Sequence, residues 1–281
     1  MERTLRIATR GSRLALIQSY IIGEILSSNG IKYKMIPVRS EGDKDLTKPL
    51  YEYNERGIFV KAVNEEILEG NADIAVHSAK DLPFDIGEEL EISYYSERGD
   101  TRDYFVSNIS LEGFSGIVGG SSIRRQNFLS LRYDKMSFKN LRGNIDTRIT
   151  KWKNKEVDGL VIAKVAIDRL GLSLPGEIIS ESVLPPAPNQ GLIAVVTRKN
   201  SEESKFFKSI VNGASFWEGD SERKLMGELS LGCDMAVSIR AYIESRTIKF
   251  SFARDGKRYD LSFKNFPDSK EIKEMRDIIY G

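Results

Sequence analysis

Cysteine and histidine are nearly absent from this chain: one of each occurs in 281 residues. A single cysteine closes no internal disulfide, and one cysteine with one histidine does not make an ordinary zinc site, so structural zinc is excluded, hard-metal oxygen sites stay open, and no residue is assigned to a metal. A Ser-His-Asp or Cys-His mechanism would have to use His77, the sole imidazole, which turns attention to carboxylates and cations. An excess of charge is missing too, with 42 lysines and arginines against 41 aspartates and glutamates. No general positive field then draws a nucleic-acid backbone; no nucleic-acid partner is expected, and anion binding falls to local clusters. The N-terminus lacks the apolar run of a signal peptide and no stretch approaches the length of a membrane span, so a cytoplasmic protein without membrane contact is expected.

What is present is an alternation of short apolar runs and amphipathic segments long enough for two or three compact α/β units. A strand over 4–9 leads to a helix capped by Ser12, with Leu14, Ile17, Ile21 and Ile25 on one face and Gly30 ending it. A strand near 31–38, a helix near 57–69 with Phe59, Val63 and Ile67, and a buried strand over 72–76 follow. Charge and glycine collect at 96–103, between two apolar strands, and mark a change of domain. Beyond it the spacing predicts strand 116–119, helix 122–132, strand 136–141, helix 146–154, strand 158–163 and helix 164–171, in a largely parallel sheet. Pro185-Pro186-Ala187-Pro188 suits a hinge back to the first domain, where 191–197 adds a strand. From 213 a helix, a Gly-Cys loop, strands over 236–243, 247–253 and 258–263, and a terminal helix form a small α+β domain. The expected domains are 1–96 with 189–212, then 97–188, then 213–281. No internal sequence repeat is visible.

Cations recur where strands give way to helices. Arg10 and Ser12 follow the first strand; Ser122, Arg124 and Arg125 follow Gly119-Gly120; Arg142 and Arg148 flank the next junction. Ligands of open α/β sheets bind along that carboxyl edge, and helix N-termini with guanidiniums suit anions. Taken singly, each is equally a capped helix with solvated or salt-bridged arginines. The Gly-rich turn lacks the spacing of a nucleotide P-loop. Lys80 and Asp81 follow the strand ending near His77. Asp81 is the favoured acid-base group, with Pro83 holding Leu82 extended and a low-dielectric surrounding tuning its proton affinity, while His77 reads as a structural, hydrogen-bonded residue. Cys233 lies in a short loop after a helix, a place for either an inert buried thiol or a presented one.

Together, Arg10-Gly-Ser-Arg-Leu-Ala-Leu-Ile-Gln18, His77-Ser-Ala-Lys-Asp-Leu-Pro83, Glu97-Arg-Gly-Asp-Thr-Arg-Asp103, Gly120-Ser-Ser-Ile-Arg-Arg-Gln126, Arg142-Gly-Asn-Ile-Asp-Thr-Arg148, Asn189-Gln-Gly191 and Gly232-Cys233 resemble, in order and over nearly the whole chain, the hydroxymethylbilane synthase (porphobilinogen deaminase) family. The resemblance implies a transferase of porphyrin, heme and tetrapyrrole biosynthesis. Its first two domains would be periplasmic-binding-protein-like α/β domains joined by a hinge, with a small α+β C-terminal domain. A dipyrromethane primer would be held in thioether linkage by Cys233. Four porphobilinogen molecules would be condensed head to tail with loss of ammonia, and hydrolysis would release the linear tetrapyrrole. Asp81 would be catalytic, assisting amine departure and stabilising positive charge on the pyrrole. Arg10, Ser12, Lys80, Ser122, Arg124, Arg125, Arg142, Arg148 and Arg169 would hold the acetate and propionate groups. The segment 41–56 would act as a lid, with Arg56 at its end and Phe59, just beyond it, assigned to the same role. A monomer is implied, with a transient hand-off of product to uroporphyrinogen-III synthase. The sequence departs from the family pattern at Asn54-Glu55-Arg56, Phe84, Val165-Ala166, Asn189, Leu231 and Ala236. A non-catalytic anion-binding protein of the same architecture is the competing reading.

Overall fold

The computed structural model describes residues 4–38, 58–232 and 235–281, with side chains from Val60 onward in the second stretch. Cys233 and the segment carrying Arg56 lie outside the described residues, and for Phe59 only the backbone is described. The chain forms two compact units, Met1–Gly99 with Gly191–Phe216 and Asp100–Gln190 with Trp217–Gly281. Among the described residues no helix is long and apolar enough to cross a membrane.

The first unit contains β1 (Leu5–Arg10), α1 (Arg13–Ser28), β2 (Tyr33–Val38), α2 (Ile58–Leu68), β3 (Ile74–Ser78), β4 (Leu90–Tyr95), β10 (Ile193–Arg198) and α6 (Glu202–Ser209). Its sheet has the order β2-β1-β3-β10-β4. Ser12 caps α1 by accepting from the Ala15 amide at 3.4 Å. The face α1 buries is turned from the expected one. Ser19, Ile22, Gly23 and Leu26 are buried, whereas Leu14, Ile17, Ile21 and Ile25 are half-exposed. The reason is a close approach: a Cβ on Gly23 would stand 2.2 Å from the Tyr33 ring, so the glycine admits the tyrosine and draws its own side of the helix inward.

The second unit carries β5 (Asp103–Val106), β6 (Gly116–Gly119), α3 (Ile123–Ser130), β7 (Met136–Lys139), α4 (Ile145–Lys153), β8 (Gly159–Ala163), α5 (Lys164–Leu170) and β9 (Gly176–Ile178), with sheet order β7-β6-β8-β5-β9. Most of α7 (Gly213–Glu228), the antiparallel sheet β11 (Val237–Tyr242), β12 (Thr247–Arg254) and β13 (Lys257–Lys264), and α8 (Ser269–Tyr280) belong to the same unit. Leu225, Leu229, Ile239, Phe250 and Met275 fill the core beneath that sheet.

The α/β class holds, and each large sheet is largely parallel: four of its five strands point the same way, and one strand, β10 in the first and β5 in the second, runs against them. Three strands joined by helical crossovers run parallel in each (β2-β1-β3 and β7-β6-β8), and the last two pairings in each are antiparallel. The antiparallel entrants β5 and β10 follow the two connecting segments instead of a helix, so the crossover geometry that enforces parallel pairing does not apply to them.

Candidate functional site

In the first unit, β1 and β3 are parallel neighbours with Ala8 beside Ala75, so both chains leave the sheet at one edge. Arg10 ends β1 and Ser12 follows it, and Lys80 and Asp81 belong to the short turn Ala79–Asp81 after β3. Gln18 and Ser78 tie α1 to the end of β3 through hydrogen bonds of 2.9 and 3.0 Å. Leu82 is extended (φ −73°, ψ 128°) and buried, the geometry the following Pro83 imposes. It anchors the turn while Asp81 itself is exposed. The expected low-dielectric setting for this carboxylate is therefore not what the structure shows. His77 is buried and its Nε2 donates to Asn64 Oδ1 at 2.9 Å. Burial first, and the Arg10 charge second, pull its pKa from 6.5 to about 3, so it remains a neutral structural residue.

In the second unit, the chain leaving β6 at Gly119-Gly120 enters α3, where the Ser122 hydroxyl accepts from the Arg125 amide. The next two arginines converge on one carboxylate. Arg124 Nη2 donates to Asp103 Oδ2 at 2.7 Å and Arg125 Nη2 to Asp103 Oδ1 at 2.6 Å. Arg124 is buried and also donates to the Pro185 carbonyl; burial pulls its pKa down. Arg125 Nη1 donates to the Val161 carbonyl at 2.8 Å, and its Nε is buried with no acceptor among the described residues. Two guanidiniums against one carboxylate leave this helix head with an excess positive charge, to which the helix dipole adds. A small depression here is lined by Gly119, Gly120, Ser122, Arg125 and Gln126, among others.

The neighbouring junction, after β7, holds Arg142 and Arg148. Asn144 caps α4 by accepting from the Thr147 amide at 2.9 Å, and Arg148 Nε donates to the Gly143 carbonyl at 2.8 Å. Gly143 has φ +111°, and a Cβ there would meet Thr147 at 2.6 Å. Arg142 is buried. Arg169 lies in the last turn of α5, about 9 Å of helix rise beyond the end of β8. Burial lowers its pKa to about 10.

The structure thus gathers Arg10, Ser12, Lys80 and Asp81 on one sheet edge of the first unit. It gathers Ser122, Arg124, Arg125, Arg142 and Arg148 at two adjacent strand ends of the second, and Arg169 lies on the helix that follows a third strand, β8. Reasoning from sequence missed Asp103 and Gln190 as members of this group. Gln190 Nε2 reaches the Thr101 carbonyl at 2.6 Å and Asp103 Oδ1 at 3.3 Å. The available signal was a carboxylate opening the apolar strand Asp103–Val106.

Residues 5–205 match the family described as porphobilinogen deaminase, dipyromethane cofactor binding domain. A probable porphobilinogen deaminase of Picrophilus torridus is 40% identical over 240 residues, covering 85% of each chain. One of Thermoplasma acidophilum is 38% identical over 258 residues, covering 90% of this chain and 88% of its own. A periplasmic substrate-binding protein from Coxiella burnetii aligns over 73% of this chain and 91% of its own at 15% identity, with a TM-score of 0.44. A match over well over half of the chain, and relatives of this identity along most of their length, establish that the chain belongs to the porphobilinogen deaminase family.

Proposed function

We propose that the protein is a hydroxymethylbilane synthase, condensing four porphobilinogen molecules head to tail with loss of ammonia and releasing the linear product by hydrolysis. The observation that carries this reading is the cationic head of α3, where Arg124 and Arg125 outnumber the one carboxylate between them and Arg125 keeps a buried Nε without an acceptor among the described residues. Such a donor set fits a ligand bearing several carboxylates, as pyrroles with acetate and propionate arms do. The dipyrromethane of this family, when bound, supplies the pyrrole carbon that starts the chain; Cys233 is its proposed anchor. The side chains of Ser122, Arg125, Arg142, Arg148 and Arg169 would hold carboxylates in the second unit, and those of Arg10, Ser12 and Lys80 in the first. Asp81, exposed at the edge beside Lys80, is positioned to accept and return a proton and to stabilise positive charge on a pyrrole ring. Arg56 and Phe59 are assigned to a lid over the reacting groups. The reading includes a cytoplasmic monomer and a transient hand-off of product to uroporphyrinogen-III synthase.

The test is a paired one. The purified protein should convert porphobilinogen to hydroxymethylbilane, and its intact mass should exceed that of the sequence, with the excess on the peptide containing Cys233. Asp81→Asn should keep the added mass and lose turnover by about 100-fold or more. An unmodified Cys233 in active protein sinks the anchor; near-normal turnover in Asp81→Asn sinks the catalytic assignment.

A further inference from the structure

We infer that Asp103 is a positioning residue for anion recognition, clamping Arg125 so that its unused donors face a ligand carboxylate. The inference rests on the carboxylate-binding reading of Arg125. Asp103 opens β5, is fully buried, and is itself immobilised by the strand ladder: it pairs with Ala163 of β8, and its carbonyl accepts from the Ile179 amide at 2.8 Å. Both carboxylate oxygens are engaged, one by Arg124 and the other by Arg125 and Gln190. With Nη2 on Asp103 and Nη1 on the Val161 carbonyl, the Arg125 guanidinium is held at two nitrogens by atoms of two adjacent strands. Its plane is thereby fixed and its Nε is left as the oriented, unsatisfied donor. A free arginine gives up rotamer freedom on binding a ligand, whereas a clamped one has given it up on folding, and affinity rises accordingly.

Arg124 has a different task. It is the more buried of the two, with side-chain exposure of 6% against 13% for Arg125, and it joins Asp103 to the Pro185 carbonyl. Gln190 adds the Thr101 carbonyl. Asp103 is thus tied to residues on both connecting segments of the chain, 99–103 and 185–191, and the clamp on Arg125 is as firm as those segments are ordered.

Charge and orientation make opposite forecasts for Asp103→Asn, which keeps the shape and one acceptor while removing the anion. If charge alone mattered, the more positive site would bind carboxylates more tightly and KM would fall. If Asp103 acts by orienting Arg125, the KM for porphobilinogen should rise about 5-fold or more with kcat changed less than about 2-fold. In the resting protein the Arg125 side chain should show separate Nη resonances, from slowed guanidinium rotation, that merge in Asp103→Asn. In an Arg125→Met background the same substitution should add nothing to KM. Should Asp103→Asn not fold, Gln190→Met, which loosens the same carboxylate without altering charge, should shift the Arg125 resonances and raise KM in the same direction. A lowered or unchanged KM with unaltered resonances, or a fully additive effect in the Arg125→Met background, overturns the positioning role. An Arg125→Met protein with normal KM overturns instead the carboxylate-binding reading beneath it.

Discussion

His77 is the only imidazole in the protein, and so its titration is an isolated signal. Its pKa is lowered in the folded state to about 3, chiefly by burial. Below about pH 6.5 the unfolded chain therefore takes up a proton that the folded chain refuses. The contribution of neutral His77 is fully present above pH 6.5 and is lost as pH falls from there toward 3. The imidazole resonances should not move between pH 8 and 5, and His77→Gln should flatten the acid dependence of unfolding between pH 6.5 and 4. A titration midpoint near 6.5 would contradict the burial. The structural reading of this residue was available from sequence because it sits inside an apolar strand. Its partner Asn64, thirteen residues away on a helix, was not.

Elements were placed well wherever apolar periodicity met a capping residue. The expected strands and helices between 116 and 171 agree with the observed ones to within two residues at nearly every end, because Ser122, Asn144 and Gly171 mark helix termini by chemistry that is local. The inward face of α1 was misread because its cause is a tertiary approach of Tyr33 to Gly23. At the turn between β7 and α4, Gly143 combines a positive φ with contact against Thr147. Gly143→Ala should cost about 1–3 kcal/mol in a denaturant titration and should weaken porphobilinogen binding by displacing Arg142 and Arg148. Unchanged stability would show that the turn relaxes.

On the scale of the whole molecule, the second unit has a buried ionic hub. Glu222, fully buried, accepts from the Asn189 amide at 2.6 Å, the Ala241 amide at 2.9 Å and Arg240 Nη1 at 3.2 Å; Arg240 also meets Glu218 at 3.0 Å. It joins α7 and β11 to the end of the segment that returns to the first unit. Asn189 stands here with φ +60°, a conformation asparagine tolerates better than most residues and that suits the glycine of the family pattern. Arg240→Ala would take a buried cation away from Glu222 and Glu218 and should destabilise the protein by about 3–5 kcal/mol, read from the unfolding midpoint. A shift under about 1 kcal/mol would mean that the amide donors suffice.

The sequence by itself determined the α/β class, the family, and the strand ends on which the cations lie, because each rests on short-range signals: apolar spacing, caps, and ordered motifs. Only the tertiary structure decided that both large sheets share one strand order with antiparallel entrants, for no repeat in the residues announces it. It also decided that Asp103 stands between Arg124 and Arg125, and that Asp81 is exposed. Those features depend on groups 21 and more residues apart meeting across a fold, and on burial, which is a property of the packed chain and not of any segment of it.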